Sequence, residues 1–324
     1  MSLRAGLFVL SLMGCRAWGE EPRLPQATDD WYRDGQAQLA EHLAVARRDR
    51  PAKNVILFIG DGMGVATVTA GRIFVGQSLG NSGEEHRLSF ERFPHVALSK
   101  TYNDNAQTPD SAGTMSAMVT GVKTRQGVLS VGRSVPRGDC VAAQQQPAMT
   151  LAELAELAGM ATGVVTTTRL THATPGAVYA HAPERNWEDD TALPAGDDCL
   201  DIAAQLLAFP YGDGVDVALG GGRRHFLPAS ATDPEYPDQS GWRKDGRDLI
   251  EAWLKKPRSA VTFTQADFDA VDPQTVDHLL GLFEPSHMLY EVERSNEPSL
   301  EEMTRKAIAI LSRRAPEAGY FLMV

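Results

Sequence analysis

The chain has 324 residues, 43% of them hydrophobic and 23% charged, with a formal net charge of −11 at pH 7. This is ordinary globular composition and argues against intrinsic disorder; the length admits one large α/β domain or two smaller ones. The acidic balance excludes a non-specific nucleic-acid binder, which needs surplus Lys and Arg to displace counterions.

At the amino end, Arg4 precedes an apolar stretch over residues 5–14. That stretch is too short to span a bilayer but long enough for the hydrophobic region of an export leader, placed here at residues 1–19. Leu12-Met13-Gly14-Cys15 reads as a lipoprotein processing site with Cys15 as a lipid anchor, while Ala17-Trp18-Gly19 offers small residues at conventional spacing. Either reading makes the protein exported, to a periplasmic, extracellular or lipid-anchored location. Cys140 and Cys199 remain in the mature chain, as one disulfide or as two separate buried thiols. With no Cys-x-x-Cys pair, a structural zinc site of the finger type is disfavoured.

Residues 20–50 read as a helical extension, polar over 20–28 and amphipathic over 30–48 until Pro51 stops the helix. The domain from residue 51 onward opens with Val55-Ile56-Leu57-Phe58-Ile59, a buried strand that ends abruptly in Gly60-Asp61-Gly62-Met63-Gly64. Ligands of open α/β sheets bind outside strand carboxyl ends, and an acidic side chain delivered there suits a cation. A helix over 65–75 completes a βα unit, and residues 96–102 are expected to form a second strand. Thr108-Pro109-Asp110-Ser111-Ala112-Gly113-Thr114 then sets a hydroxyl beside a carboxylate at the start of a helix over 112–119. Unpaired N–H groups and the macrodipole favour an anion at such a helix start, so Ser111 is the candidate nucleophile. Taken alone, Ser111 would be a plain helix cap.

Thr150 with Glu153 forms a capping-box pattern ahead of a helix over 150–159. Strands at 163–168 and 215–219, with a helix at 198–209 between them, indicate a mostly parallel sheet covered by helices on both faces, a three-layer α/β/α sandwich. The pattern weakens after Pro228, and residues 228–297 read as an insertion or cap. Order returns with a helix over 298–314 capped by Ser299. Gly319-Tyr320-Phe321-Leu322-Met323-Val324 begins a strand at which the sequence ends. A buried strand of this kind needs a turn and a covering helix, so the fold is expected to be incomplete at its carboxyl end. Met63, Met115 and Met118 read as packing residues, and His181 and His225 receive no role.

Three blocks carry a family resemblance: Lys53-Asn54-Val55-Ile56-Leu57-Phe58-Ile59-Gly60-Asp61-Gly62-Met63-Gly64, Thr108-Pro109-Asp110-Ser111-Ala112, and Val164-Val165-Thr166-Thr167-Thr168-Arg169-Leu170-Thr171-His172-Ala173-Thr174-Pro175. In sequence, order and spacing they closely resemble alkaline phosphatases, and Glu184-Arg185-Asn186-Trp187 and Gly281-Leu282-Phe283-Glu284-Pro285 look like later blocks of that family. The resemblance implies hydrolysis of phosphate monoesters with two zinc ions and one magnesium ion. Asp61 would bridge zinc and magnesium, Ser111 would attack phosphorus, Arg185 would clamp the phosphate beside Asp110, Thr174 would ligate magnesium, and His172 would reach it through water. By analogy with the animal-like branch, Asp197, the Phe283 carbonyl, Glu284 and Glu297 would form a calcium site, Cys140 would pair with Cys199, and the complete protein would be a homodimer. In the family a Glu-Gly-Gly-Arg-Ile-Asp-His block and later histidines supply the remaining metal ligands. They are missing from this sequence, which makes weak or no activity the expectation for this polypeptide.

The residue types suit that chemistry on their own terms. Monoester hydrolysis is very slow unaided, two metal ions about 4 Å apart stabilise entering and leaving oxygens, a metal can activate serine, and guanidinium offers the paired donors that two phosphate oxygens need. Taken singly, Asp61 could be only a turn carboxylate, His172 a structural histidine and Arg185 a stacking partner for Trp187. Gly60-x-Gly62-x-Gly64 lacks the third glycine offset of a dinucleotide loop, and no glycine stands two residues before Ser111 as an acyl-hydrolase elbow requires. A related metal-dependent phosphodiesterase, or an inactive remnant that binds metal or phosphate, remains as an alternative reading.

Overall fold

Parallel pairing of short apolar strands organises the chain, in a computed structural model that describes residues 30–44, 50–195 and 199–324. The leader, Cys15 and Asp197 lie outside the described residues. Two units divide the chain. The smaller contains helix α1 (Asp30–Leu43), with Asp30 in its first turn, and a one-turn segment, Ser89–Arg92, where the Glu91 carboxylate accepts from the Leu88 N–H at 2.9 Å.

The larger unit contains, in chain order, β1 (Val55–Leu57), α2 (Val65–Ser78), α3 (Ser111–Thr120), α4 (Cys140–Gln145), α5 (Leu151–Leu157), β2 (Ala161–Arg169), α6 (Ala173–Tyr179) and α7 (Ile202–Leu207). There follow β3 (Val217–Gly221), α8 (Leu249–Trp253), β4 (Ser259–Thr262), α9 (Gln265–Ala270), β5 (His278–Leu282), α10 (Leu300–Arg314) and β6 (Tyr320–Met323). The six strands form one sheet in the order β1-β6-β2-β3-β5-β4, and every ladder is parallel.

Period-2 alternation sorts the strand side chains onto two faces. Val164, Ala218, Leu280, Phe321 and Met323 join one core with residues of α3, α5, α6, α7 and α8. Val165, Val217, Leu219, Leu279, Tyr320 and Leu322 face a second core built on Phe268 of α9 and Met303, Ala307, Ile310 and Leu311 of α10. The architecture is therefore the expected α/β/α sandwich. Its helix starts follow side-chain chemistry: Thr150 with Glu153, and Ser299 with Glu302, close reciprocal capping boxes at α5 and α10.

Several elements depart from the sequence expectation. Residues 96–102 form no strand, and Val96 and Leu98 are exposed; a strand persists only where a neighbour offers a ladder, and no described strand does so here. Residues 228–297, expected as an insertion or cap, supply β4 and β5 to the central sheet. The helix expected over 198–209 is confined to α7, where the Asp201 carboxylate accepts from the Ala204 N–H. The final apolar run, β6, is an inner strand between β1 and β2. Of the three methionines expected to serve as packing, Met115 is fully buried while Met63 and Met118 are exposed.

Cys140 and Cys199 are joined by a disulfide, with Cα atoms 5.7 Å apart and a sequence separation of 59. Closing a loop of that length is worth about 4 kcal/mol on the chain-entropy account. We predict that the double change Cys140→Ser, Cys199→Ser lowers the unfolding free energy by about 2–4 kcal/mol in urea titrations; an unchanged midpoint would remove the bridge as a stabilising element.

Candidate active site

Parallel pairing brings the carboxyl ends of β1 and β2 to the same edge of the sheet. Beyond β1, Ile59 donates to the Val324 carbonyl at 2.8 Å, and the chain then turns with the Met63 N–H on the Gly60 carbonyl at 3.0 Å. Gly62 takes the left-handed conformation this turn requires, φ +67°. Asp61 sits on that turn. Its Oδ2 accepts from Thr174 Oγ1 of α6 at 2.7 Å, a contact between residues 113 apart in sequence.

Helix α3 begins at Ser111 with Asp110 as its cap, so Ser111 is the first helical residue and its hydroxyl is not spent on capping. Asp61, Asp110, Ser111 and Thr174 line one cleft of about 440 Å³, completed by Thr101, Thr114 and apolar groups that include Met63 and Met118. Asp61 and Ser111, 50 positions apart in the sequence, thus line the same cleft.

Asp110 gathers four donors. Its Oδ1 accepts from Asn103 Nδ2 at 2.8 Å and from the Gly113 N–H at 3.2 Å, and its Oδ2 accepts from the Gly127 N–H at 3.0 Å and from Arg185 NH1 at 3.1 Å. Arg185 is further tied through its own N–H to the Gly127 carbonyl at 2.8 Å. Its NH2 group lies 3.2 Å from His172 Nε2. Burial, together with the charges of Arg185 and Arg169, lowers the His172 pKa to about 4, so the ring is neutral at alkaline pH. His172 Nδ1 is buried without a partner, and the ring meets His287 edge-on at 5.4 Å.

Behind His172, Glu188 holds Arg169 through two bonds of 2.7 Å and accepts from Thr171 Oγ1 at 2.6 Å. Burial opposes its charge, yet these donors keep its pKa below the usual carboxylate value. The unassigned histidines are both engaged inside the fold: His225 meets Asp189 at 2.6 Å, and His181 meets Glu153 at 2.8 Å.

Of the calcium candidates, Phe283 is buried against Phe268, Glu284 accepts from Tyr236 Oη at 2.9 Å, and Glu297 is buried with Oε2 unpartnered. Burial first, then the charges of Glu284 and Glu235, raise the Glu297 pKa to about 7.

Among the described residues, the one triad of acidic and histidine groups with ligand atoms mutually within 4.8 Å is Asp213, Asp216 and His278. It lies at the opposite edge of the sheet, where β3 and β5 begin, and Arg314 bridges both aspartates. That guanidinium pairs with both carboxylates, so the cluster is already engaged in a structural ion pair.

The model of the family described as "Alkaline phosphatase" matches residues 52–324. The chain belongs to the alkaline phosphatase family. It is 44% identical to the tissue-nonspecific isozyme of alkaline phosphatase from Mus musculus, over 98% of this chain and 62% of the mouse protein. It is 44% identical to the alkaline phosphatase of Gadus morhua, over 94% of this chain and 65% of that one. The crystal structure of Thermus thermophilus alkaline phosphatase is similar with a TM-score of 0.64 at 30% identity, covering 85% of this chain and 50% of that chain. The chain thus spans less than two thirds of the length of these alkaline phosphatases.

Proposed function

We propose that the chain binds phosphate monoesters in the Asp61–Ser111 cleft and hydrolyses them through a phosphoserine at Ser111. Membership of the alkaline phosphatase family supports the reaction class. The observation that carries the site assignment is Asp110, which caps the helix that begins at Ser111 and also holds Arg185 at 3.1 Å, so nucleophile and clamp share one rigid support. Ser111 Oγ forms the new bond to phosphorus as the ester P–O bond breaks and the alcohol leaves; water then releases inorganic phosphate and restores the hydroxyl. Arg185 gives paired donors to two phosphate oxygens; neutral His172 accepts one N–H of the Arg185 NH2 group at 3.2 Å, and the second N–H of that group is left for the ligand.

The donor set of the cleft selects among cations. Asp61 and Thr174 offer oxygen ligands already 2.7 Å apart, a hard pair suited to magnesium. Such an ion, when bound, stabilises charge on phosphoryl oxygens. The zinc pair does not fit the described residues: zinc takes about four ligands rich in nitrogen or sulfur, whereas Asp61 and Asp110 are the only ionisable side chains lining the cleft, and Asp110 is fully engaged. No step is derived through zinc. The same donor set favours the second reading, phosphate binding without turnover. Mass spectrometry of the Ser111 peptide after incubation with p-nitrophenyl phosphate, magnesium and zinc decides between them. A phosphate adduct supports hydrolysis, and its absence alongside retained phosphate binding supports the second reading. Faster cleavage of the bis-ester or of the sulfate analogue would move the chain to a different hydrolase class.

Export follows from the same reading and is supported by the disulfide, since such bonds persist in oxidising compartments. The homodimer and the lipid anchor at Cys15 rest on the sequence reading alone.

Glu284 and Glu297, with the Phe283 carbonyl and Asp197, are proposed to hold a calcium ion. The Glu297 pKa is raised by burial and like charge to about 7, so its stabilising contribution is complete below the unfolded carboxylate value and is lost as pH rises through 7. A cation binding there restores it. We predict that calcium raises the melting temperature at pH 8 and leaves it unchanged at pH 4. Glu297→Gln should raise the calcium-free melting temperature at pH 8 and erase the calcium response; an equal response at both pH values would refute the assignment.

A further inference from the structure

Asn103 lies outside every block that pointed to the family, yet it is 2% exposed and reaches the centre of the clamp. Its backbone is fixed by reciprocal bonds with Ala106, of which the Asn103 N–H on the Ala106 carbonyl is 2.9 Å. Its Nδ2 donates to Asp110 Oδ1 at 2.8 Å, the shortest of the four bonds that carboxylate accepts. Its Oδ1 is buried with no partner.

That orphaned acceptor is informative. Leaving a buried carbonyl oxygen unpaired is unfavourable, and an apolar side chain of the same shape would avoid the cost. Asparagine at this position is therefore explained by its amide N–H. The fold also makes room for it: a Cβ on Gly113, in the first turn of α3, would lie 2.5 Å from Asn103 Oδ1 and 3.0 Å from the Arg125 carbonyl. The missing side chain at Gly113 lets the amide approach the helix that begins at Ser111.

We infer that Asn103 is a positioning residue for the phosphate clamp, its amide holding the Asp110 carboxylate in the rotation that gives Oδ2 to Arg185. The inference rests on the reading of Arg185 as the clamp. Without the Asn103 donor, Oδ1 keeps only the 3.2 Å bond from Gly113, and the carboxylate turns about its Cβ–Cγ axis. Arg185 then loses its fixed partner. Asn103 acts at one remove, since it touches neither the cleft nor the nucleophile.

The test is a double-mutant cycle on the full chain with inorganic phosphate as ligand, joined to a readout that needs no ligand. Asn103→Leu, which removes the donor and the orphaned acceptor together, is expected to leave the urea midpoint no lower while weakening phosphate affinity about tenfold. In an Arg185→Ala background the same change should have no further effect on affinity. Asn103→Asp keeps the shape, sets a second carboxylate against Asp110, and should weaken binding more. Nuclear magnetic resonance of the Arg185 side-chain nitrogens should show faster guanidinium rotation in both variants, whether or not phosphate binds. A parent chain that fails to bind phosphate refutes the proposed function, and the resonance arm still decides the role of Asn103. Unchanged guanidinium rotation, or a loss of affinity that persists without Arg185, overturns the inference.

Discussion

Ser111→Ala is expected to abolish the phosphate adduct and to lower monoester turnover by at least about 10³-fold, because in the proposed reaction Ser111 Oγ is the group that takes the phosphoryl bond. The variant should fold as the parent does. Ser111 is the first residue of α3, while the cap hydrogen bond runs from the Gly113 N–H to Asp110 at 3.2 Å and is untouched. Alanine also has the higher helix propensity. Inorganic phosphate binding should survive, since Arg185 remains on Asp110. Burst kinetics with p-nitrophenyl phosphate, quenched and analysed for the Ser111 peptide, supply the measurement. An undiminished burst would end the assignment of Ser111 as nucleophile.

Arg185→Ala is expected to weaken phosphate binding by about 10- to 100-fold, the loss that follows from removing charge-assisted hydrogen bonds of roughly 1.5–3 kcal/mol. Stability should fall by less than this, because Asp110 retains the Asn103, Gly113 and Gly127 donors and is not left as an unpaired buried charge. Arg185→Lys should recover little, since an ammonium cannot present the planar fork that two phosphate oxygens match. A second readout accompanies the first: with the guanidinium gone, the His172 pKa should rise from its value of about 4, burial remaining as the main depressing influence. Phosphate titrations that return the parent affinity would remove Arg185 from the site.

Much of the site was legible in the sequence because its residues stand in long ordered blocks. Asp61 follows an apolar strand, Ser111 opens a helix, and both line one cleft. Asn103 was not legible, since its importance lies in one contact. Asn103 bonds Asp110 seven positions away across a turn. The strands β4 and β5 were hidden for another reason. Ser259-Ala260-Val261-Thr262 is half polar, and His278-Leu279-Leu280-Gly281-Leu282 begins with a histidine and contains a glycine, so neither displays a strand period strong enough to stand out.

What the sequence by itself determined is local: the apolar runs that become β1, β2, β3 and β6, the capping boxes of α5 and α10, and the chemical types gathered near Asp61, Ser111 and Arg185. These depend on backbone sterics and on hydrogen bonds between residues a few positions apart, which composition and spacing encode directly. The tertiary structure alone decided that the last apolar run lies between β1 and β2, that residues 96–102 stay unpaired, and that one aspartate serves helix, loop and guanidinium together. Ladder partners and shared side-chain contacts exist only once distant segments are brought together, and the free energy that selects among them is collective burial, which no single stretch of sequence carries.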